Sequence, residues 1–335
     1  MKRFLIYILS LVALVGCGRN EVDGPTPGQG VMMSFGAPTV EATDEAGRAG
    51  AGSTLMVVGN MQDYSIGVYG MYETGENIFD SQPEDLHFNG ANWVYEELQP
   101  WNRVMNHEFR AFHPFDPTGT DRAHGLSATY GIQSMTDATR LVLNYYTEVN
   151  KFDLMVARAT RNPAADAEGV GKVVLNFKHT LSALQFEVKY ATAETDRLTY
   201  AHIDGICESG TLYYGRQKVE DGEENIRWIL PLAKSTELYK WTGSVAFNNT
   251  TAAKAFDGDG VVFAIPQTIT DGQASFVFKT EAGDDAIQRA YLPAITWEPG
   301  KKYVYTMTVR GAELDVSVKI KPWDNKKSNV DIYIQ

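Results

Sequence analysis

Alternation of apolar and polar residues with a period of two is the feature that most constrains the fold of this chain. Near the C-terminus, the run AELDVSVKIKPW places four apolar side chains on one face: Leu314, Val316, Val318 and Ile320. Successive side chains of a β-strand point to opposite faces, so this pattern predicts a half-buried strand. The preceding run KKYVYTMTV alternates in the same way. Because only the short RGAE link separates the two runs, they are predicted to form a hairpin.

Runs of this kind recur along the chain between Gly, Pro, Asn and Asp residues, and few segments have helical spacing of useful length. The pattern therefore predicts an all-β protein built from antiparallel β-sandwiches. The stretch RNPAADAEGVG, residues 161–171, has no large apolar side chain and separates two strand-rich parts of similar size. We predict two sandwiches in tandem, an N-terminal one over residues 31–165 and a C-terminal one over residues 170–335.

The first seventeen residues have the features of a lipoprotein signal peptide. Lys2 and Arg3 precede the apolar run FLIYILSLVALV, which is too short to span a membrane with structured flanks. The sequence LVGC, which ends at Cys17, resembles a bacterial lipobox. We therefore predict that Cys17 is acylated and that this lipid attaches the protein to the outer membrane. Residues 18–30 are rich in Gly and Pro and read as a flexible tether. Cys207 is the only other cysteine, which leaves it without a disulfide partner.

Charge and motif content exclude several classes of function. A net charge of −12 argues against binding to nucleic acid, which needs clustered basic residues. The chain has no recognisable catalytic, phosphate-binding or cysteine-cluster motif. His107 and His113 would share one face of a strand and could chelate a metal, but ordinary packing or surface roles are favoured for both. We therefore expect no enzymatic activity, no metal and no cofactor.

Aromatic residues leave a second functional class open. Trp93 and Trp101 are candidates for a flat platform on which a sugar ring stacks. Core packing is the competing interpretation, and it is favoured for Trp93 because Tyr95 follows on the same face. The alternative function is that of a surface-anchored lipoprotein that binds carbohydrate.

Motifs spread over most of the chain resemble those of the fimbrillin-like proteins of Bacteroidetes, which are subunits of type V pili. The strand EFRAFHPF and the run FDLMVARAT fall in the first half. The second half opens with VVLNFKHTLSALQFEV, whose core is Phe177, His179, Leu181 and Ser182. AIPQTI, WEPGKKYVYTMTV and VKIKPWD follow in that order. Each motif is weak alone, and their order over about 300 residues is what makes the resemblance specific.

The resemblance implies two transthyretin-like β-sandwich domains and a structural or adhesive role in a fimbria. It also implies an assembly mechanism in which a protease cuts after an arginine, and Arg48–Ala49 resembles that position. Cleavage would remove the lipidated segment with its first strand, and the vacated groove would accept a strand from another subunit. The partners implied are other pilus subunits, joined by β-strand addition, and a host protein or glycan.

The residues themselves fit this scheme at both ends of the chain. Val31, Met33 and Phe35 alternate with Met32, Ser34 and Gly36 and predict a removable strand with one apolar face. At the other end, Val330, Ile332 and Ile334 predict a strand that is either the last one of its own domain or a donor for a neighbour. The first role is favoured, since a spare donor strand would need more chain after the PWD sequence. A tip or accessory subunit is therefore expected.

Overall fold

The computed structural model of the chain describes residues 31–41, 61–80, 82–116, 126–135, 138–147, 152–164, 171–215, 225–258, 260–283, 286–322 and 332–334. Within these residues the secondary structure is almost entirely β, which confirms the predicted fold class. The exception is one turn of 3-10 helix at Met61–Asp63. No helix in the described ranges has the length and apolar character needed to span a membrane.

The first nine strands are β1 Thr39–Val40, β2 Ser65–Tyr72, β3 Glu84–Phe88, β4 Trp93–Val94, β5 His107–Phe115, β6 Leu126–Met135, β7 Ala138–Tyr146, β8 Met155–Arg161 and β9 Asn176–His179. The next seven are β10 Ser182–Tyr190, β11 Asp196–Asp204, β12 Ser209–Gly215, β13 Asn225–Ile229, β14 Leu238–Phe247, β15 Ala253–Lys254 and β16 Val261–Ala264. The last seven are β17 Thr268–Ile269, β18 Ser275–Thr280, β19 Gln288–Tyr291, β20 Ile295–Thr296, β21 Lys301–Arg310, β22 Glu313–Pro322 and β23 Ile332–Ile334.

The strands form two large and three smaller sheets. A seven-stranded sheet has the order β1-β9-β8-β5-β2-β3-β4. A six-stranded sheet has the order β15-β10-β21-β22-β23, with β16 also paired to β10. Two four-stranded sheets have the orders β14-β11-β18-β19 and β13-β12-β7-β6, and β17 pairs with β20.

The predicted C-terminal hairpin is confirmed. Strands β21 and β22 are antiparallel over their whole lengths, and Tyr305 lies opposite Val318. The sequence pattern predicted antiparallel sheets, but two pairings are parallel, β1 with β9 and β10 with β21. These pairings could not be predicted because the paired strands are far apart in the chain, and no short turn joins parallel strands.

Three apolar cores lie between or beside these sheets. The C-terminal core separates the six-stranded sheet from the β14-β11-β18-β19 sheet, and in it the Phe186 ring stacks on Phe276 and Tyr305 at 4.8 and 5.1 Å between ring centres. The N-terminal core lies on one face of the seven-stranded sheet and includes Phe109 and Met155. A third core includes Phe112 and Val156 of the same sheet together with apolar residues of β7 and β12.

This third core crosses the predicted domain boundary at 165–170. Strand β7 precedes the boundary and β12 follows it, yet the two are neighbours in one sheet, with Leu143 opposite Leu212. Likewise, β9 follows the boundary and pairs with β8, which precedes it. Strands on the two sides of the predicted boundary therefore pair with one another. The composition of a polar stretch does not show which strands pair across it.

Candidate assembly site

Residues 31–41, the N-terminal segment, lie along the β9 edge of the seven-stranded sheet. The N–H of Val173 donates to the carbonyl of Ser34 at 2.8 Å, and the N–H of Gly36 donates back to the Val173 carbonyl at 2.8 Å. Further along, the N–H of Glu41 donates to the Phe177 carbonyl at 2.8 Å. The segment therefore supplies the backbone partners that an edge strand would otherwise leave open.

The apolar side chains of the N-terminal segment are mostly buried in the N-terminal core. Met33 is 1% exposed, Phe35 3% and Val40 9%. Val31 is 44% exposed, so its predicted place on the buried face is wrong. The backbone of Val31 is nevertheless held, because its carbonyl accepts a hydrogen bond from the Trp101 N–H at 2.9 Å.

The surface that these side chains cover is here named the N-terminal groove. It is formed by Tyr95, Phe109, Val173, Leu175 and Phe177. The ring of Phe35 meets the rings of Tyr95 and Phe109 edge to face, each at 5.6 Å between ring centres. Such pairs contribute about 0.5 to 1.5 kcal/mol beyond the area that they bury.

Tyr95 also binds the backbone of the segment. Its hydroxyl donates to the carbonyl of Met33 at 3.1 Å and accepts from the N–H of Gln99 at 3.4 Å. Burial raises the pKa of Tyr95 above its ordinary value, so the hydroxyl stays protonated and able to donate at neutral pH. The groove thus combines apolar contacts with one directed polar contact.

Polar contacts at the far end of the segment are solvent-exposed. The carboxylate of Glu41 lies 3.2 Å from the Lys178 ammonium, and the Asn176 amide donates to it at 3.5 Å. Both charged side chains are more than one third exposed, and exposed ion pairs contribute about 0 to 1 kcal/mol. The buried apolar side chains, rather than this ion pair, therefore hold the segment.

One buried polar pair next to the groove was not predicted from the sequence. His179 Nδ1 and Asp153 Oδ2 form a short hydrogen bond, and both side chains are buried. Asp153 precedes β8 and His179 ends β9, so the pair joins the two strands beside the groove. Asp153 lies inside the apolar run FDLMVA, whereas His179 lies between Lys178 and Thr180, so the sequence gives a signal for only one member of the pair.

Arg110 is a second buried polar residue whose role was not predicted from the sequence, and it lies beside the third core. Its Nε lies 2.7 Å from Glu108 Oε1, and its Nη1 donates to the carbonyl of Tyr214 at 3.1 Å. Arg110 lies on β5 and Tyr214 on β12, so the guanidinium links two sheets. Arginine suits this place because its fork of donors can serve two acceptors at once.

The candidate glycan platform is not supported by the structure. Trp93 and Trp101 are each 6% exposed and belong to the N-terminal core. The Trp101 ring lies edge to face with Phe109, at 6.2 Å between ring centres. A sugar ring stacks only on an exposed aromatic face, so these two residues act in packing.

The two histidines considered as metal ligands are buried packing residues. The His107 ring lies 4.9 Å from the Trp101 ring and 5.1 Å from the Tyr72 ring, while His113 Nε2 is 3.3 Å from the Met61 carbonyl. Among the residues that the structure describes, no group of three or more His, Cys, Asp or Glu side chains is placed to hold a metal ion.

The C-terminal strand pairs within its own chain. Residues Ile332–Ile334 run antiparallel to β22, with Ile332 opposite Ile320 and Ile334 opposite Val318. Val330 lies outside the described residues, as do Cys17, Arg48 and Ala49. The lipidation and cleavage sites therefore stay predictions from the sequence.

The described fold is thus all-β, with an N-terminal segment laid along one edge of its seven-stranded sheet. The profile of the fimbrillin-like family matches residues 54–323, and the chain belongs to this family. It is accordingly a fimbrial subunit of a cell-surface appendage, a structural protein and not an enzyme. No curated protein has a sequence significantly similar to that of this chain.

Solved structures share the fold at low sequence identity. A fimbrial protein from Bacteroides vulgatus is 14% identical with a TM-score of 0.56, and the match covers 82% of this chain and all of that one. A candidate cell adhesion protein from Bacteroides ovatus is 12% identical with a TM-score of 0.52, and the match covers 89% of this chain and 99% of that one.

Proposed function

We propose that this fimbrial subunit is exported as a lipoprotein, acylated at Cys17, held at the outer membrane and then cut between Arg48 and Ala49. The cut releases the N-terminal segment, and the N-terminal groove takes up a strand from a neighbouring subunit. The observation that carries the proposal is the seating of residues 31–41 on a sheet edge through backbone hydrogen bonds and buried apolar side chains.

Removing the segment would leave the groove with two deficits. The carbonyls of Val173, Leu175 and Phe177 would lose their hydrogen-bond donors. The aromatic rings of Tyr95 and Phe109 would lose the cover of Phe35. An open strand edge beside an exposed apolar surface is the template on which an added strand binds.

The free energy lost when the apolar side chains leave the groove favours strand exchange over an empty groove. Met33, Phe35 and Val40 are nearly fully buried, and burying such a side chain contributes about 1.5 to 3 kcal/mol. Losing all three would remove a large part of the stability of a typical domain, about 5 to 15 kcal/mol. The cut protein should therefore be stabilised by any strand that refills the groove.

A tip or accessory position is proposed because the C-terminal strand is paired to β22 of its own chain. In that arrangement it completes a sheet and is not presented to a neighbour. Carbohydrate binding through Trp93 and Trp101, the alternative drawn from the sequence, has lost its support because both rings are buried.

The test compares the intact chain, the chain cut after Arg48 and the Arg48→Ala variant. Arg103→Ala is the matched control, since Arg103 is an exposed loop arginine in the described structure. Of the two variants, only Arg48→Ala should resist processing. We expect the cut chain to unfold at a lower temperature than the intact chain and to regain stability when a peptide of residues 31–41 is added. If the cut chain keeps its segment and unfolds at the same temperature as the intact chain, the assembly proposal fails.

A further inference from the structure

The N-terminal segment does not advance evenly along its partner strand. The N–H of Gly36 donates to the Val173 carbonyl and that of Thr39 to the Leu175 carbonyl, so three steps in the segment match two in the partner. From Thr39 to Glu41 the pairing is regular: Glu41 donates to the Phe177 carbonyl, so two steps in the segment match two steps in the partner. One extra residue between Gly36 and Thr39 is the signature of a β-bulge.

Pro38 lies within this bulge. Proline has no N–H to donate, so strands accept it at bulges and edges and reject it within a regular ladder. The bulge also changes which residues face the core. Met33 and Phe35 are buried before it, Pro38 is buried within it, and Val40 is buried after it. The buried positions are therefore spaced two, three and two residues apart.

Gly36 lies close to the chain that the segment pairs with. A Cβ at this position would lie 3.2 Å from Val174 Cγ2, which is closer than ordinary van der Waals contact. A large or β-branched side chain would push Val174 aside or lift the segment from β9. The groove therefore favours a small residue directly after the buried aromatic.

The chain's own C-terminal strand has a different pattern. Val330, Ile332 and Ile334 alternate strictly, two residues apart. If Val330 took the place of Met33 and Ile332 that of Phe35, then Tyr333 would fall at Gly36. Ile334 would then take the outward position of Ala37, which is exposed in the segment.

We infer that the N-terminal groove selects a bulged strand from a different subunit and rejects the C-terminal strand of a second copy of this chain. Such a strand has the pattern apolar, any residue, aromatic, small, any residue, apolar, any residue, apolar. The inference rests on the proposed function, because the groove must first be vacated. It specifies which strand the groove binds. It also implies that a fibre of identical copies joined through this groove is unfavourable.

Peptide exchange on the cut protein tests this selection. The probe protein is the full chain with the recognition sequence of a site-specific protease in place of residues 45–50. After the cut, fluorescent peptides compete with the resident segment. Four are compared: residues 31–41, the same peptide with Gly36→Tyr, the same peptide lacking Ala37, and residues 328–335.

We expect the native 31–41 peptide to bind. Deleting Ala37 removes the extra residue and turns Val40 out of the groove, so it should weaken binding by at least about tenfold. Gly36→Tyr should weaken binding similarly, and Val174→Ala in the protein should restore part of that loss by making room. The 328–335 peptide should bind more weakly than the native peptide by the same factor or more.

The outcomes separate the two ideas. If no peptide binds and the resident segment stays in place after the cut, strand exchange itself is wrong and the selection fails with it. If the native peptide binds but the Ala37-deleted and 328–335 peptides bind equally well, exchange stands and the selection is overturned. If Gly36→Tyr weakens binding but Val174→Ala restores none of it, the proposed contact between these positions is wrong.

Discussion

Replacing Phe35 with alanine tests directly whether buried side chains hold the N-terminal segment on its sheet. Phe35 is 3% exposed and its ring meets two aromatic rings edge to face. Truncating a buried phenylalanine to alanine removes about 3 to 5 kcal/mol of stability. We expect the lower end of that range, since the neighbours of an edge segment can relax into part of the cavity.

The loss should appear first as local opening of the segment. Hydrogen exchange at the amides of Val173, Gly36 and Glu41 reports this opening, because each donates a hydrogen bond between the segment and the sheet. A loss of about 3 kcal/mol increases the open population by about a hundredfold. Exchange at these amides should accelerate by that factor, while amides of the C-terminal core keep their protection.

Val31→Ala is the matched control, since Val31 belongs to the same segment and is 44% exposed. Surface substitutions usually change stability by no more than about 0.5 kcal/mol. Exchange should therefore be nearly unchanged in this variant. Equal protection in Phe35→Ala and Val31→Ala would refute the argument that burial holds the segment.

Three further predictions concern the body of the molecule. Burial lowers the pKa of His107 from 6.5, so below pH 6.5 this side chain binds a proton in the unfolded chain before it does so in the folded chain. Unfolding free energy should therefore fall as the pH drops from 6.5 towards the lowered folded pKa, and His107→Phe should flatten this slope in urea titrations measured across that range. Arg110→Lys should destabilise the protein by about 1 to 3 kcal/mol in urea unfolding, because one ammonium cannot replace the fork that binds both Glu108 and the Tyr214 carbonyl. Trp101→Ala should lower stability by about 3 to 5 kcal/mol in the same assay, whereas a Trp101 that acts only as a glycan platform would leave stability unchanged.

Local patterns were sufficient to predict the parts of the fold that depend on neighbouring residues. The β21 and β22 hairpin follows from two alternating runs and a short link that contains Gly311, which adopts a positive φ of 59°. Burial of Met33 and Phe35 likewise follows from alternation. In each case the alternating pattern and the structural feature involve the same few neighbouring residues. The prediction therefore needed no information about distant parts of the chain.

Features that depend on distant partners could not be predicted. The pairing of β7 with β12 brings Leu143 opposite Leu212, and no local signal relates two strands so far apart. The bulge after Gly36 shifts which later residues are buried, and strict alternation does not foresee such a shift. An aromatic residue such as Trp101 fits both a core and a binding platform until its neighbours are known.

The mature N-terminus of the protein in purified fimbriae shows whether the N-terminal segment is removed before assembly. It is read by mass spectrometry of the N-terminal peptide from native material, with whole cells of the Arg48→Ala variant for comparison. We expect Ala49 as the first residue in fimbriae, and an acylated Cys17 in the variant. An acylated Cys17 at the N-terminus of the assembled subunit would contradict this expectation, because the N-terminal segment would then still be part of the chain.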